Sequence, residues 1–268
     1  MSIMIVPPRT LEGKSALITG GGSGIGRATA LMMAERGARI ALLGRTRSDL
    51  DQTLDLIGEP HGGHLVLEAN VSDESEMLAA YAILERHWDQ LDIVVANAGI
   101  NGVWAPLDQI QVEEWDETLE TNLRGTFLTL KCALPLLRRR GGSAVVVSSI
   151  NGTRIFSNSG ATAYACSKAA QVAFTKMVAL ELARDRIRVN VVCPGAIKTH
   201  IESSTERRSL DDLHLPVEFP EGGIPLTGGG PGEASQVAEL ITFLSSDAAA
   251  LITGTEVYIE GGQSLLQG

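Results

Sequence analysis

Residues 15–26 read SALITGGGSGIG, and this stretch decides the fold. The run at 15–19 is short and largely apolar, as a buried strand is, and apolar residues recur with helical spacing from Ile25 to Arg36. Glycines between a strand and a helix allow a tight turn. The stretch therefore predicts a strand, a glycine-rich turn and a helix that begins near Gly24.

Similar short runs recur along the chain, and most are continuously apolar, which indicates strands buried on both faces. They lie at 39–43, 64–69, 92–96, 143–148, 188–193 and 256–260. Longer stretches with helical spacing separate them, at 73–87, 112–139, 163–184 and 233–245. This alternation predicts an α/β fold, a Rossmann-type doubly wound sheet of about seven parallel strands flanked by helices.

We expect a single domain over residues 1–268, because no Pro- or Ser-rich linker divides the chain. The stretch 199–232 fits no strand–helix unit, since it is polar and ends in TGGGPG. Long excursions inside a compact domain are usually functional or disordered. We interpret this one as a lid over a site, with a plain surface loop as the alternative.

Charge and composition exclude several classes of partner. The chain has 32 acidic and 22 basic residues, a net charge of −10, whereas nucleic acids and anionic membranes are bound largely through Lys and Arg. The opening MSIMIVPPRT has two prolines where a signal peptide needs an apolar run, and no apolar run is long enough to span a membrane. Three scattered cysteines indicate buried free thiols in a reducing compartment. We therefore expect a cytoplasmic protein without a metal site.

The glycine-rich turn also predicts a dinucleotide site. Free N–H groups at the start of the helix favour an anion, and the glycines let the main chain approach a pyrophosphate. The residues expected there are Gly20, Ser23, Gly24, Ile25 and Gly26.

Arg45 lies at the end of the second strand, where an acidic side chain would bind the ribose of NAD. A guanidinium can instead pair with a 2′-phosphate, which favours NADP. The alternative is that Arg45 is a solvated residue at a helix start and that the protein accepts either nucleotide.

Tyr164 and Lys168 lie four residues apart in AYACSKAA, and a helix would place both on one face. A free phenol titrates near ~10, and a neighbouring cation lowers that pKa. The pair could therefore transfer a proton near neutral pH.

These motifs together resemble the short-chain dehydrogenase/reductase family in its single-domain branch. The resemblance covers nearly the whole length and follows the family's order. Its motifs are TGGGSGIG, ANAG at 96–99, Asn122 in ETNLRG, Ser149, Tyr164 with Lys168, and Pro194-Gly195.

The resemblance implies that Tyr164 exchanges a proton with the substrate oxygen. Lys168 would lower the pKa of Tyr164 and bind the nicotinamide ribose, and Ser149, with Ser148 as the alternative, would hold the carbonyl. Asn122 would place a water that links Lys168 to solvent. These roles suit hydride transfer, which builds charge on the carbonyl oxygen.

The resemblance also implies further cofactor contacts. Asn70, in place of a common aspartate, would accept from the adenine amine. The full set expected along the cofactor is Asn70, Val71, Asn97, Ala98, Gly99, Tyr164, Lys168, Pro194, Gly195, Ile197 and Thr199.

The sequence thus predicts an NADP(H)-preferring oxidoreductase that interconverts a secondary alcohol and a ketone. Its substrate stays open among 3-oxoacyl thioesters, sugars and small alcohols. The tail VYIEGGQSLLQG resembles the segment that packs between subunits in the family, which implies a homotetramer. One alternative is a non-catalytic NADP-binding sensor, and a serine hydrolase would need a GxSxG motif that the chain lacks.

Overall fold

The computed structural model describes residues 10–58, 63–155, 158–199, 201–213 and 223–266. Helices in these ranges are α1 Gly24–Glu35, α2 Arg47–Ile57, α3 Glu74–His87, α4 Val112–Leu119, α5 Gly125–Leu137, α6 Thr162–Leu182 and α7 Ala234–Ser245. Strands are β1 Ser15–Thr19, β2 Arg39–Gly44, β3 Leu65–Glu68, β4 Ile93–Ala96, β5 Gly102–Trp104, β6 Gly142–Val147, β7 Ile187–Pro194, β8 Ile197–Lys198, β9 Thr205–Arg207, β10 Gly232–Glu233 and β11 Glu256–Ile259.

The main sheet has seven parallel strands in the order β11-β7-β6-β4-β1-β2-β3. The predicted doubly wound α/β sheet is therefore confirmed. Each strand lies within one or two residues of the predicted run, because each is an apolar segment bounded by polar or glycine residues.

The continuous apolar character of the strands follows from their position between two helical layers. Leu17 and Val94 face the core formed with α3, α5 and α6, whereas Ile18 and Val95 face the core formed with α1, α2 and α7. Successive side chains alternate between the two faces of a strand. Both faces are buried here, so both sets of positions must be apolar.

The predicted helix at 112–139 is wrong in one respect, because it is two helices. A π turn at Glu120–Arg124 separates α4 from α5, and the N–H of Gly125 donates to the carbonyl of Glu120. The apolar pattern continues through the extra residue, so periodicity alone did not reveal the break. Helix α2 is not among the predicted helices.

The proposed lid, 199–232, includes residue 200 and residues 214–222, which lie outside the described residues. Its described parts are hydrogen-bonded to the body of the protein. Strand β9 pairs with β5, β10 pairs with β8, and the N–H of Arg208 donates to the carbonyl of Trp104 at 3.0 Å. Part of the stretch is therefore held in place by main-chain hydrogen bonds.

Two further expectations concern membranes and cysteines. In the described part of the chain, no helix has the length and apolar character needed to cross a bilayer.

The cysteines differ from the expectation of three buried thiols, since Cys193 is buried, Cys132 is half-buried and Cys166 is exposed. Cys166 lies on the outer face of α6, which the sequence did not distinguish from its inner face.

Candidate active site

The candidate site lies at the carboxyl ends of β1 and β4, which are neighbours in the middle of the sheet. The chain after β1 enters the α1 layer, and the chain after β4 leads to the opposite layer. A cleft opens at such a switch point in doubly wound sheets. Here it consists of adjoining cavities of about 590, 180 and 590 Å³.

The glycine turn forms the floor of this cleft. Gly20 has a φ of +65°, and a Cβ there would lie 2.8 Å from Nδ2 of Asn97. Gly26 allows α1 to pack on the turn, since a Cβ at Gly26 would lie 2.1 Å from the carbonyl oxygen of Gly20. Ser23 precedes α1 with an exposed hydroxyl that does not cap the helix. The turn therefore leaves the N-terminus of α1 open to an anion.

Thr19 joins the two central strand ends, a role that the sequence did not predict. Its Oγ1 accepts from the N–H groups of Asn97 at 3.0 Å and Ala98 at 3.1 Å. Nδ2 of Asn97 donates to the carbonyl of Thr19 at 2.9 Å. These bonds fix the ANAG segment against the glycine turn. The sequence signal for this contact is the hydroxyl residue that directly precedes the glycines.

Arg45 and Asp49 stand on the same wall of the cleft, beside Ser23. Both are exposed, and Arg45 forms no ion pair with another described residue. Arg45 would attract a 2′-phosphate, whereas Asp49 would repel one.

Asn70 lines the smaller cavity with Val71 and Thr121. We expected its amide oxygen to accept from an adenine amine. In the structure that oxygen already accepts from the N–H of Ser72 at 3.2 Å and from its hydroxyl at 3.0 Å. An amide oxygen has two acceptor sites, and both are occupied here. The Nδ2 group of Asn70 therefore remains as a donor for an adenine base.

The catalytic candidates meet where β6 ends against α6. Lys168 is 3% exposed, and its Nζ donates to the carbonyl of Val147 at 3.0 Å. That ammonium lies 5.5 Å from the ring centroid of Tyr164. The hydroxyl of Tyr164 shares a hydrogen bond with Ser149. Ser148 instead donates to the carbonyl of Lys168 at 2.8 Å, so Ser149 is the serine that faces the phenol.

Burial controls the protonation of both groups. It lowers the pKa of Lys168 to about 8, because a buried ammonium loses its hydration. Burial raises the pKa of the Tyr164 phenol; the hydrogen bond with Ser149 acts in the opposite direction, and the charge of Glu202 raises the pKa further. The expected lowering of the phenol pKa is therefore not what this structure shows, since desolvation outweighs the favourable contacts.

Asn122 lies behind the cleft, in the π turn, and is fully buried. Its Oδ1 accepts from the N–H of Ile100 at 2.8 Å, and its Nδ2 donates to the carbonyl of Ile100 at 2.9 Å. A methyl group added at Gly99 would lie 3.1 Å from Oδ1 of Asn122 and 3.6 Å from Nζ of Lys168. Asn122 and Lys168 thus both approach the space beside Gly99 that a side chain there would fill.

The far wall of the largest cavity carries an aromatic ring and an ion pair. Trp104 packs against Tyr164, and the guanidinium of Arg207 lies 5.1 Å from the Trp104 ring centroid. Arg207 donates to Glu202 at 2.8 Å. Trp104 therefore both packs against its neighbours and lines the cleft.

Most predicted site residues line the cleft. They are Gly20, Ser23, Gly24, Ile25, Arg45, Asn70, Val71, Asn97, Ala98, Gly99, Ser149, Tyr164, Lys168, Pro194, Gly195, Ile197 and Thr199. Gly26 and Asn122 do not line it, since Gly26 packs under the turn and Asn122 packs behind Gly99.

The cleft fits a dinucleotide. Its floor is a main-chain cradle at a helix N-terminus that a side chain at Gly20 would fill, and its length runs from Asn70 to Tyr164. Within the described residues, no group of His, Cys, Asp and Glu could hold a metal ion.

The fold and this site define a class, the dinucleotide-dependent oxidoreductases. A family model described as enoyl-(acyl carrier protein) reductase matches residues 20–264. The crystal structure of a 3-ketoacyl-ACP reductase from Sinorhizobium meliloti 1021 is 54% identical and covers 94% of this chain and 100% of its own, with a TM-score of 0.89.

Two other proteins extend the comparison. Levodione reductase of Leifsonia aquatica is 34% identical over 262 residues, which is 96% of this chain and 97% of the relative. A 3-ketoacyl-(acyl-carrier-protein) reductase from Brucella melitensis, solved with NADH, is 29% identical with a TM-score of 0.83, covering 95% of this chain and 99% of its own.

The chain belongs to the short-chain dehydrogenase/reductase family. It is an NAD(P)-dependent oxidoreductase of ketoreductase type, and enzymes of this family act on small molecules. The comparisons give no support to a non-catalytic sensor.

Proposed function

We propose that this protein interconverts a ketone and a secondary alcohol through Tyr164, Lys168, Ser149 and Asn122. The observation that carries the proposal is the phenol of Tyr164, buried in the cleft, hydrogen-bonded to Ser149 and covered by the Lys168 ammonium. A bound nicotinamide supplies or accepts the hydride. The residues of the chain then supply the proton and the geometry.

In the reductive direction, negative charge develops on the substrate oxygen. Ser149 is placed to donate a hydrogen bond to that oxygen, and Tyr164 is placed to donate the proton. The resulting phenolate would be stabilised by the cation of Lys168, whose pKa of about 8 keeps it largely protonated at neutral pH. In the oxidative direction the same phenolate would take the proton back.

The replacement Tyr164→Phe tests this assignment. It keeps the ring packed against Trp104 but removes the proton donor. We expect kcat to fall by about 1,000-fold, within the range for loss of a general acid. Coenzyme binding, measured as a thermal shift, should persist.

Tyr81→Phe is the matched control. Tyr81 is equally buried, but its hydroxyl donates to the carbonyl of Thr129 on α5, and Tyr81 does not line the cleft. The control should retain wild-type kcat. Full activity in Tyr164→Phe would remove Tyr164 from the mechanism.

We propose 3-oxoacyl thioesters as the first substrate class to test, because the 54% identical structure is described as a 3-ketoacyl-ACP reductase. Sugars and small cyclic ketones are the other classes. Turnover of acetoacetyl-CoA, a cyclic diketone and a sugar, followed by NADPH absorbance, separates the three. In this proposal residues 199–232 act as the lid of a single domain, and the described part of the lid supplies Arg207 and Glu202 to the substrate wall.

We further propose that the enzyme prefers NADP(H), with NAD(H) as a second coenzyme. Arg45 supports the preference because its guanidinium stands free on the wall beside the glycine turn. Asp49 on the same wall opposes it. The balance between these two charges then sets the ratio of the two coenzymes.

Charge-changing variants test the balance. Arg45→Asp should lower the NADP(H) to NAD(H) ratio of kcat/KM by about 10-fold or more, because it removes an attraction to the 2′-phosphate. Asp49→Asn should raise the ratio, because it removes a repulsion of the 2′-phosphate. Arg47→Asp is the control, since Arg47 pairs with Asp51 on α2 and does not line the cleft. An unchanged ratio in Arg45→Asp would show that Arg45 does not set the preference.

A cytoplasmic location stays a prediction.

A further inference from the structure

Gln171 makes contacts that the functions assigned above do not use. It lies on α6, one turn beyond Lys168, and is fully buried. Its Nε2 donates to the carbonyl oxygen of Asn122 at 2.8 Å and to Oγ1 of Thr126 at 2.8 Å. The Thr126 hydroxyl donates in turn to the same Asn122 carbonyl at 2.7 Å.

This carbonyl lies inside the π turn at Glu120–Arg124 and accepts from two side chains. A π turn displaces the helical ladder by one residue, so that a carbonyl at the displacement loses its regular partner. A buried carbonyl must find another donor. Gln171 donates to the carbonyl of Asn122 and thereby ties the π turn to α6.

Stability alone does not account for a glutamine at this position. Its other amide atom, Oε1, is buried without a hydrogen-bond partner among the described residues. An unpaired buried acceptor is destabilising, and Thr126 would serve the carbonyl even beside an apolar residue. Groups that stay unsatisfied in a native structure point to a role beyond packing.

The contacts continue from Asn122 into the cleft. The Asn122 side chain makes two hydrogen bonds to the main chain of Ile100 and a third to Oγ of Ser167 at 3.0 Å. Ile100 directly follows Gly99, and a Cβ at Gly99 would contact both Oδ1 of Asn122 and Nζ of Lys168. One amide therefore connects α6, the π turn and the loop after β4.

We propose that Gln171 is a positioning residue for proton transfer: through Asn122 it sets the place of the Gly99–Ile100 main chain relative to the Lys168 ammonium. This inference rests on the proposed function of Tyr164 and Lys168. Loss of the Gln171 amide should change the proton-transfer step, because small displacements at a reacting centre are costly. Binding of substrate and coenzyme should change little, since Gln171 does not line the cleft.

Gln171→Met tests the proposal, because methionine has nearly the same length and no amide. We expect kcat to fall about tenfold, the alkaline limb of its pH profile to move, and both KM values to stay within about twofold. Without added coenzyme, amide hydrogen exchange at Ile100 should become faster, since its acceptor on Asn122 loses its anchor.

Thr175→Val is the matched control. Thr175 lies one turn further along the same buried face, and its hydroxyl also lacks a partner among the described residues, but it does not contact Asn122. The control should keep wild-type kcat, pH profile and Ile100 exchange. If Gln171→Met does not fold, Gln171→Leu removes the same amide with a smaller side chain, and the same changes are expected of it.

The proposal is overturned if Gln171→Met keeps the wild-type kcat and pH profile, or if Thr175→Val changes them equally. Failure of the proposed function is recognised separately, as retained turnover in Tyr164→Phe or as no ketone reduction by the wild type.

Discussion

Lys168 lies in the candidate site, and its burial is energetically costly to the folded protein. The ammonium is buried, has no carboxylate partner among the described residues, and is held by the carbonyl of Val147. Burying an unpaired charge disfavours its charged form, so the pKa falls to about 8. In the proposed mechanism this lowered pKa lies close to neutral pH, and the folded protein bears the cost of the buried charge.

Lys168→Met is expected to raise Tm at pH 7. Below the folded pKa of about 8, wild-type Lys168 is charged in both states and the folded state bears the whole desolvation cost. Between pH 8 and the ordinary value of 10.5, the folded state releases its proton first, so the wild type becomes more stable as pH rises. The Tm advantage of the variant should therefore shrink from pH 7 to pH 10.

Thermal unfolding at the two pH values measures this difference. Lys176→Met serves as the control, because Lys176 is exposed and pairs with Glu256, which raises its pKa. That variant should gain no stability at pH 7. An equal Tm difference for Lys168→Met at both pH values would contradict the buried-charge explanation.

Among the secondary-structure elements, the π turn at Glu120–Arg124 is the one that departs from the sequence prediction and also places Asn122 behind the cleft. Apolar spacing through 112–139 predicts one helix, and the structure has α4 and α5 with the turn between them. The turn directs Asn122 toward the chain after β4, where its side chain binds Ile100. Residues on three elements are thereby held behind the cleft by contacts that an uninterrupted helix would not present.

At the scale of the whole molecule, apolar side chains remain exposed at the C-terminal tail. Leu265 is 69% exposed and lies in the segment that, by family resemblance, packs between subunits. Exposed apolar surface of this kind is often covered in an oligomer. Symmetric assemblies are the usual way in which a chain covers such a surface with a copy of itself. We propose a homotetramer on these grounds.

Light scattering tests the assembly. We expect a particle of four 28.4 kDa chains, and Leu265→Asp should lower its mass because it places a charge in the apolar contact. Leu107→Asp, at a residue that is 75% exposed and lies outside the tail, should leave the mass unchanged. A monomeric wild type, or dissociation by both variants, would contradict the proposal.

The sequence by itself determined the α/β sheet, the glycine turn and the Tyr164–Lys168 pair. These are local signals: apolar runs, a glycine that must adopt a φ of +65°, and a spacing of one helical turn. The π turn, the Thr19–Asn97 contacts, the Gln171 contact and the placement of Asp49 on the same wall as Arg45 became visible only in the folded structure. The Thr19–Asn97 and Gln171–Asn122 contacts join residues far apart in the chain, and the direction of the Tyr164 pKa shift depends on burial, which no local pattern contains.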